Sequence, residues 1–236
     1  MKIRCKKSEL LNGVQIVNKA VPSKTTMSIL ECILIDASND FIKFVANDTE
    51  LGIETIVEGN IEEKGSVCLD AKMFQEIVRK LPDNEVLIET DEKLIATIVC
   101  EKARFNIVGK SSEEFSYLPY FEKNNPLIIS QLSLKEVIRK TIFSIAPDTE
   151  SNKIMTGELF YINEDNLKIV ALDGHRIAIN DLKLKNVYEN KKVIIPGKTL
   201  NEISKIIAGD ANKDVYIYFS DNHVVFEFEN TLIFIE

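Results

Sequence analysis

The sequence is poor in the residues from which metal centres and most acid–base catalysts are built. Only two histidines, His175 and His223, occur in 236 residues, which starves zinc and imidazole chemistry. The four cysteines, Cys5, Cys32, Cys68 and Cys100, lie far apart in strand-like runs. No pair has metal-ligand or redox-motif spacing, so they read as buried, reduced thiols of a cytoplasmic protein rather than a secreted disulfide framework. Nine glycines include neither a Walker A loop nor a G-x-G-x-x-G, so no phosphate cradle is expected. No apolar run approaches the ~20 residues of a membrane span. The opening ten residues, Met1 to Leu10, lack the apolar core of a signal peptide. The expectation is a chain without metal, cofactor or membrane contact.

What is present is a well-patterned globular chain. An apolar content of 45% and a modest net charge of −8 exclude whole-chain disorder. The length suits one large domain or two ordinary ones. β-rich runs cover Met27–Ile35, Phe41–Ala46, Ile53–Val57, Val67–Leu69, Val86–Glu89, Leu94–Cys100, Arg104–Val108, Val215–Phe219, Val224–Phe228 and Thr231–Ile235. Short turns separate the last three, one of them at 220–222. This spacing favours hairpins over parallel crossovers. Helices are predicted over 8–21 with Ser8 as cap, over 70–81 from Asp70, over 133–146 from Ser133, and over 198–208 with Gly209 as the stop.

The order repeats. Lys43-Phe-Val-Ala-Asn-Asp48 matches Lys168-Ile-Val-Ala-Leu-Asp173, the two aspartates lying 125 residues apart. Lys72-x-x-x-Glu76 matches Lys198-x-x-x-Glu202, 126 residues on. One offset from two anchors means a duplicated domain, not a solenoid. The Pro-containing stretch from Phe115 to Pro126 lies between the copies, which puts the boundary at 123/124: domain 1 over 1–123 and domain 2 over 124–236. The fold class is α+β. The chain stops at Glu236 directly after an apolar strand, which suggests a cut inside a longer protein.

The four helical stretches together carry +4, leaving −12 on the rest. Positive charge on helices with an acidic remainder suits a sequence-blind hold on DNA phosphates, although charged helix faces are commonly only solvated. The string Leu172-Asp-Gly-His-Arg-Ile177 reads as a tight hairpin. Asp173 and His175 could serve as an orienting acid and a base. No nucleophile with local support accompanies them, and paired carboxylates such as Glu62-Glu63 and Glu113-Glu114 fall in loop-like stretches.

The repeat, the helix order and the Asp-Gly-His-Arg string together resemble the bacterial sliding clamps, the β subunits of DNA polymerase III. The resemblance spans the chain. It includes Pro22 to Leu30, Asn47-Asp-Thr-Glu50, Gly157-Glu-Leu-Phe160, Ala171 to Ile177 and Val193 to Lys198. It implies duplicated β-α-β-β-β units with two helices and two antiparallel sheets per domain, the helices lining the hole of a ring. It also implies a non-catalytic processivity factor of the cytoplasm and nucleoid that encircles duplex DNA and tethers the replicative polymerase.

By position, the DNA-touching residues carry over to Lys24, Lys72, Lys153 and Lys198. The pocket for short linear motifs carries over to Met155, Leu172, Gly174, His175, Arg176 and Ile177. Leu172 stands where a small hydroxyl residue is common, and Lys153-Ile154 where some clamps have a tyrosine pair. Implied partners are double-stranded DNA, the polymerase III catalytic subunit, the clamp loader and other replication and repair proteins. The full-length form would close as a homodimeric ring of three-domain protomers, so a third domain is missing here. Two alternatives remain: a complete two-domain clamp that closes as a trimer, or a small enzyme using Asp173 and His175.

Overall fold

A computed structural model describes residues 1–220 and 222–236, so the turn expected at 220–222 lies partly outside the described residues. The chain divides into two compact units, Met1–Tyr120 with Glu229–Phe234, and Phe121–Phe228 with Ile235–Glu236.

Unit 1 runs β1 (Lys2–Lys6), α1 (Lys7–Val17), β2 (Cys32–Asp36), β3 (Ile42–Asn47), β4 (Leu51–Val57), β5 (Asn60–Glu63), β6 (Ser66–Asp70), α2 (Ala71–Lys80), β7 (Glu85–Thr90), β8 (Ile95–Cys100) and β9 (Ala103–Val108). Its strands form antiparallel sheets in the orders β5-β1-β7-β8-β9 and β4-β3-β2-β6. β8 alternates half-buried and buried residues, the mark of a sheet with one covered face. β2 is buried at four successive positions, Cys32 to Leu34 and Ile35, because both its faces are covered. Helices lie on one side. On the other, Ile29, Leu30, Phe115 and Leu118 close over Cys32, Leu34, Val45 and Cys68.

α2 starts where the Asp70 carboxylate accepts the Met73 N–H at 2.8 Å, satisfying one of the helix's open donors. Its Phe74 meets Phe44 of β3 edge to face, with centroids 6.0 Å apart. α1 lies against α2, and at Gly13 it presses so close to the sheet that a Cβ would stand 2.5 Å from Val57.

Unit 2 runs β10 (Leu127–Ser130), α3 (Gln131–Thr141), two 3-10 turns over Ile142–Ser144 and Lys153–Thr156, β11 (Gly157–Leu172), β12 (Ile177–Pro196), α4 (Gly197–Ile206), β13 (Asp214–Phe219) and β14 (Val224–Phe228). β10, β13 and β14 form one sheet in that order. β11 and β12 form a long hairpin in register from Leu172↔Ile177 back to Gly157↔Pro196, with irregularities on either side of Glu164. α3 packs on α4, as α1 does on α2. The last strand, β15 (Thr231–Ile235), lies in unit 1 up to Phe234 and pairs there with β4, where Thr55 and Thr231 share a buried 2.9 Å hydrogen bond.

α2 begins at Ala71 and α4 at Gly197, so the helices repeat at the offset read from the residues. Several local expectations are corrected. α1 begins at Lys7 with no side-chain cap, not at Ser8, because β1 runs straight into it. α3 is capped by Ser130, whose hydroxyl accepts the Ser133 N–H at 3.2 Å. Residues 28–30 form a turn rather than the start of β2, with Ile29 and Leu30 used as a plug. Glu62 and Glu63 are in β5, not in a loop: β5 pairs with β1, and Glu62 is held by Lys2 and Arg4. α4 ends at Ile206, three residues before Gly209 takes its positive φ of 82°.

Candidate nucleic-acid interface and partner pocket

Both helix pairs present basic side chains, and most of those charges are already engaged. Arg79 and Lys80 pair with Glu76, Lys140 with Glu136 and Lys205 with Glu202, each within one helical turn. Lys135 donates to the Ile207 carbonyl at 3.0 Å. Lys72 and Lys198, like Arg139 of α3, are different. Each is the exposed second residue of its helix, α2 or α4, and neither makes an ion pair among the described residues. Lys24 is exposed in the irregular segment after α1. Lys153 opens the 3-10 turn over Lys153–Thr156, and its ammonium donates back to the Asp148 carbonyl at 2.7 Å.

The hairpin turn between β11 and β12 is built by Asp173. One carboxylate oxygen accepts the backbone N–H groups of His175 and Arg176, each at 3.0 Å, and the other accepts the Arg176 Nε–H at 2.8 Å. These bonds, led by the one from His175, hold the Asp173 carboxyl below its ordinary pKa. Gly174 takes a φ of 86° with nothing within 4 Å of a notional Cβ, so glycine serves the turn's left-handed geometry and not a close approach. The acid is thus committed to the backbone and Arg176 rather than to the His175 ring, and the acid–base pair considered from sequence is not assembled.

The predicted pocket residues fall into two neighbouring concavities. Met155 and Leu172 line an apolar cavity of about 170 Å³, together with Ile154, Gly157, Leu159, Val170 and Ile194. Arg176 lines an open cleft of about 610 Å³ with Asp173, Asp148, Lys198, Asn201 and an apolar floor that includes Ile142, Ile145 and Pro147. Met155 and Ala146, one from each concavity, are joined by a backbone hydrogen bond of 2.8 Å. Gly174 and His175 are exposed at the turn, and Ile177 is 60% exposed at the start of β12. Lys198, expected on the DNA side, lines the same cleft as Arg176. Sequence reading missed Leu159, Val170 and Ile194, which are indistinguishable from core positions of any strand. It also missed Phe143, whose ring lies 5.8 Å from the Arg176 guanidinium.

Comparison with known proteins agrees with this architecture. Residues 1–119 match the family model of the DNA polymerase III beta subunit, N-terminal domain, and residues 128–236 match that of its central domain. The chain is 37% identical over 245 residues to the Beta sliding clamp of Bacillus subtilis (strain 168), covering 99% of this chain and 64% of that protein. Among solved structures, a protein of Eubacterium rectale ATCC 33656 assigned as a DNA polymerase III beta subunit superposes with a TM-score of 0.97 at 62% identity, over 100% of this chain and 64% of that one. The DNA polymerase sliding clamp of Bacillus subtilis gives 0.95 at 36% identity, with the same coverage. A sliding clamp of Bartonella birtlesii, solved bound to griselimycin, gives 0.92 at 28% identity, again with that coverage. The chain therefore spans about two thirds of the length of these relatives. With both of its halves matched in order, the chain belongs to the DNA polymerase III beta subunit family, the bacterial sliding clamps.

Proposed function

We propose that this chain supplies the N-terminal and central domains of a processivity clamp, with 1–123 and 124–236 as the two domains. The clamp encircles duplex DNA without reading its sequence and tethers the replicative polymerase. It carries no catalysis of its own and acts in the cytoplasm on the nucleoid. The observation that carries the reading is the repeated placement, at the second position of α2 and α4, of a lysine without an ion pair among the described residues, Lys72 and Lys198. Such lysines displace counterions from phosphates without fixing the clamp in register, which a sliding hold requires. Lys24 adds to the basic side chains of unit 1 and Lys153 to those of unit 2. Ring closure, as a homodimer in a chain of the relatives' full length, makes the hold topological, so weak contacts suffice.

Partners of the polymerase and clamp-loader kind would dock short motifs, an apolar side chain entering the cavity of Met155 and Leu172 and a polar group meeting Arg176 beyond the exposed turn of Gly174, His175 and Ile177. Replacing Lys24, Lys72 and Lys198 by Glu should shorten retention on circular DNA. It should also flatten the dependence of log retention on log salt by about 0.9 for each phosphate no longer neutralised. Retention and salt slope equal to the parent's would refute the interface. Because Lys198 also lines the Arg176 cleft, a second reading gives it to partner recognition. Lys198→Glu alone, assayed for DNA retention and for peptide binding, separates the two.

A further inference from the structure

Arg176 is 59% exposed, yet its side chain is not left free to wander. The Asp173 carboxylate holds Nε at 2.8 Å from within the same turn, and that carboxylate is itself only 15% exposed. From a different element, the 3-10 turn over Ile142–Ser144, the Phe143 ring lies beneath the guanidinium at 5.8 Å. Phe143 is 57% exposed, so burial of its own ring does not account for its place. A ring face within ~6 Å is, however, a platform for a cation.

We infer that Asp173 and Phe143 are positioning residues that fix the Arg176 guanidinium at the edge of its cleft, ready for the partner motif. This rests on the pocket reading above and deepens it. An arginine free in solution loses much rotamer freedom when a ligand immobilises it, and one already held loses less, which raises affinity without adding any interaction. Two restraints from separate elements also fix the direction of the fork and leave its terminal nitrogens for the ligand, since Asp173 occupies Nε.

The test uses Asp173→Asn. Asparagine keeps an oxygen to accept the His175 and Arg176 backbone N–H groups, so the turn survives. Its amide nitrogen, however, presents a donor to the donor at Nε. Two readouts are needed on the full chain. The first is the Arg176 Nε–H resonance by nitrogen-edited NMR, which should exchange slowly with water in the parent and quickly in Asp173→Asn. The second is the affinity for a fluorescein-labelled peptide carrying the clamp-binding motif of the polymerase III catalytic subunit. Exposed ion pairs and cation–π contacts lead to an expected loss of about two- to fivefold for Asp173→Asn and similarly for Phe143→Leu. Neither should weaken binding further once Arg176 is already alanine. An equal loss in the Arg176→Ala background, or no loss in the parent, would overturn the inference. Full affinity in Arg176→Ala itself would refute the pocket reading, and with it any role for a positioned guanidinium.

Discussion

Glu158 offers a sharp perturbation of unit 2. It is fully buried on the inner face of β11, beside Phe160 and under α3. One carboxyl oxygen lies 2.8 Å from the Thr141 hydroxyl and the other has no partner. That hydroxyl is also 2.7 Å from the Val137 carbonyl, and it has one proton to give. A neutral Glu158 resolves the arrangement, donating to Thr141, which donates to Val137. An ionised one would pull the Thr141 proton away from the helix and leave its second oxygen desolvated. Burial accordingly pushes the carboxyl up from 4.5 to about 7, the Thr141 hydrogen bond opposing only in part.

A folded-state pKa raised above the unfolded value makes a contribution that is fully present below about 4.5 and is lost as pH rises through about 7. The loss amounts to about 3 kcal/mol, the free-energy equivalent of moving the carboxyl from 4.5 to about 7. Glu158→Gln cannot ionise. Amide hydrogen exchange of the buried β11 core, compared between variant and parent at each pH, should show the variant gaining about 3 kcal/mol relative to the parent between pH 4.5 and pH 8. Any fixed offset from the new amide group cancels in that difference. A variant and parent that change in parallel across this range would refute the argument.

Two further outcomes follow from packing. A Cβ on Gly157 would stand 2.7 Å from the Ile195 carbonyl and 2.8 Å from the Ile194 side chain. Gly157→Ala should therefore destabilise unit 2 by about 1–3 kcal/mol and alter the apolar cavity that Gly157 lines, checked by urea unfolding. The Cys5 and Cys68 thiols are buried and, through desolvation first, pushed up to about 12. A thiol-reactive dye should leave both unlabelled in the folded chain and label them on denaturation, and rapid native labelling at pH 8 would contradict their placement.

Legibility in the sequence followed the range of the interaction that decides each feature. Asp70 was readable as the start of α2 because an N-cap acts on the N–H three residues on. Ser8 misled because β1 enters α1 without a capping turn, a feature fixed by pairing with β7. β5 hid behind Glu62-Glu63, since an edge strand tolerates charge and the complement, Lys2 and Arg4, lies far away in sequence.

The site divides the same way. The Asp173–Ile177 string was legible as a turn because its bonds span two and three residues. Its separation from Met155 and Leu172 was not, because two surfaces of one sheet region are set apart by packing of the 3-10 turns and by the Ala146–Met155 bond. Glu158 is out of reach of the sequence, because no strand is expected over 157–172. With Phe160 buried, residue 158 must share its face, and a carboxyl there must either find a partner or give up its charge. Strand parity thus locates the buried acid once β11 is known. Only the position of Thr141, reached across the helix–sheet packing, shows how the proton is held.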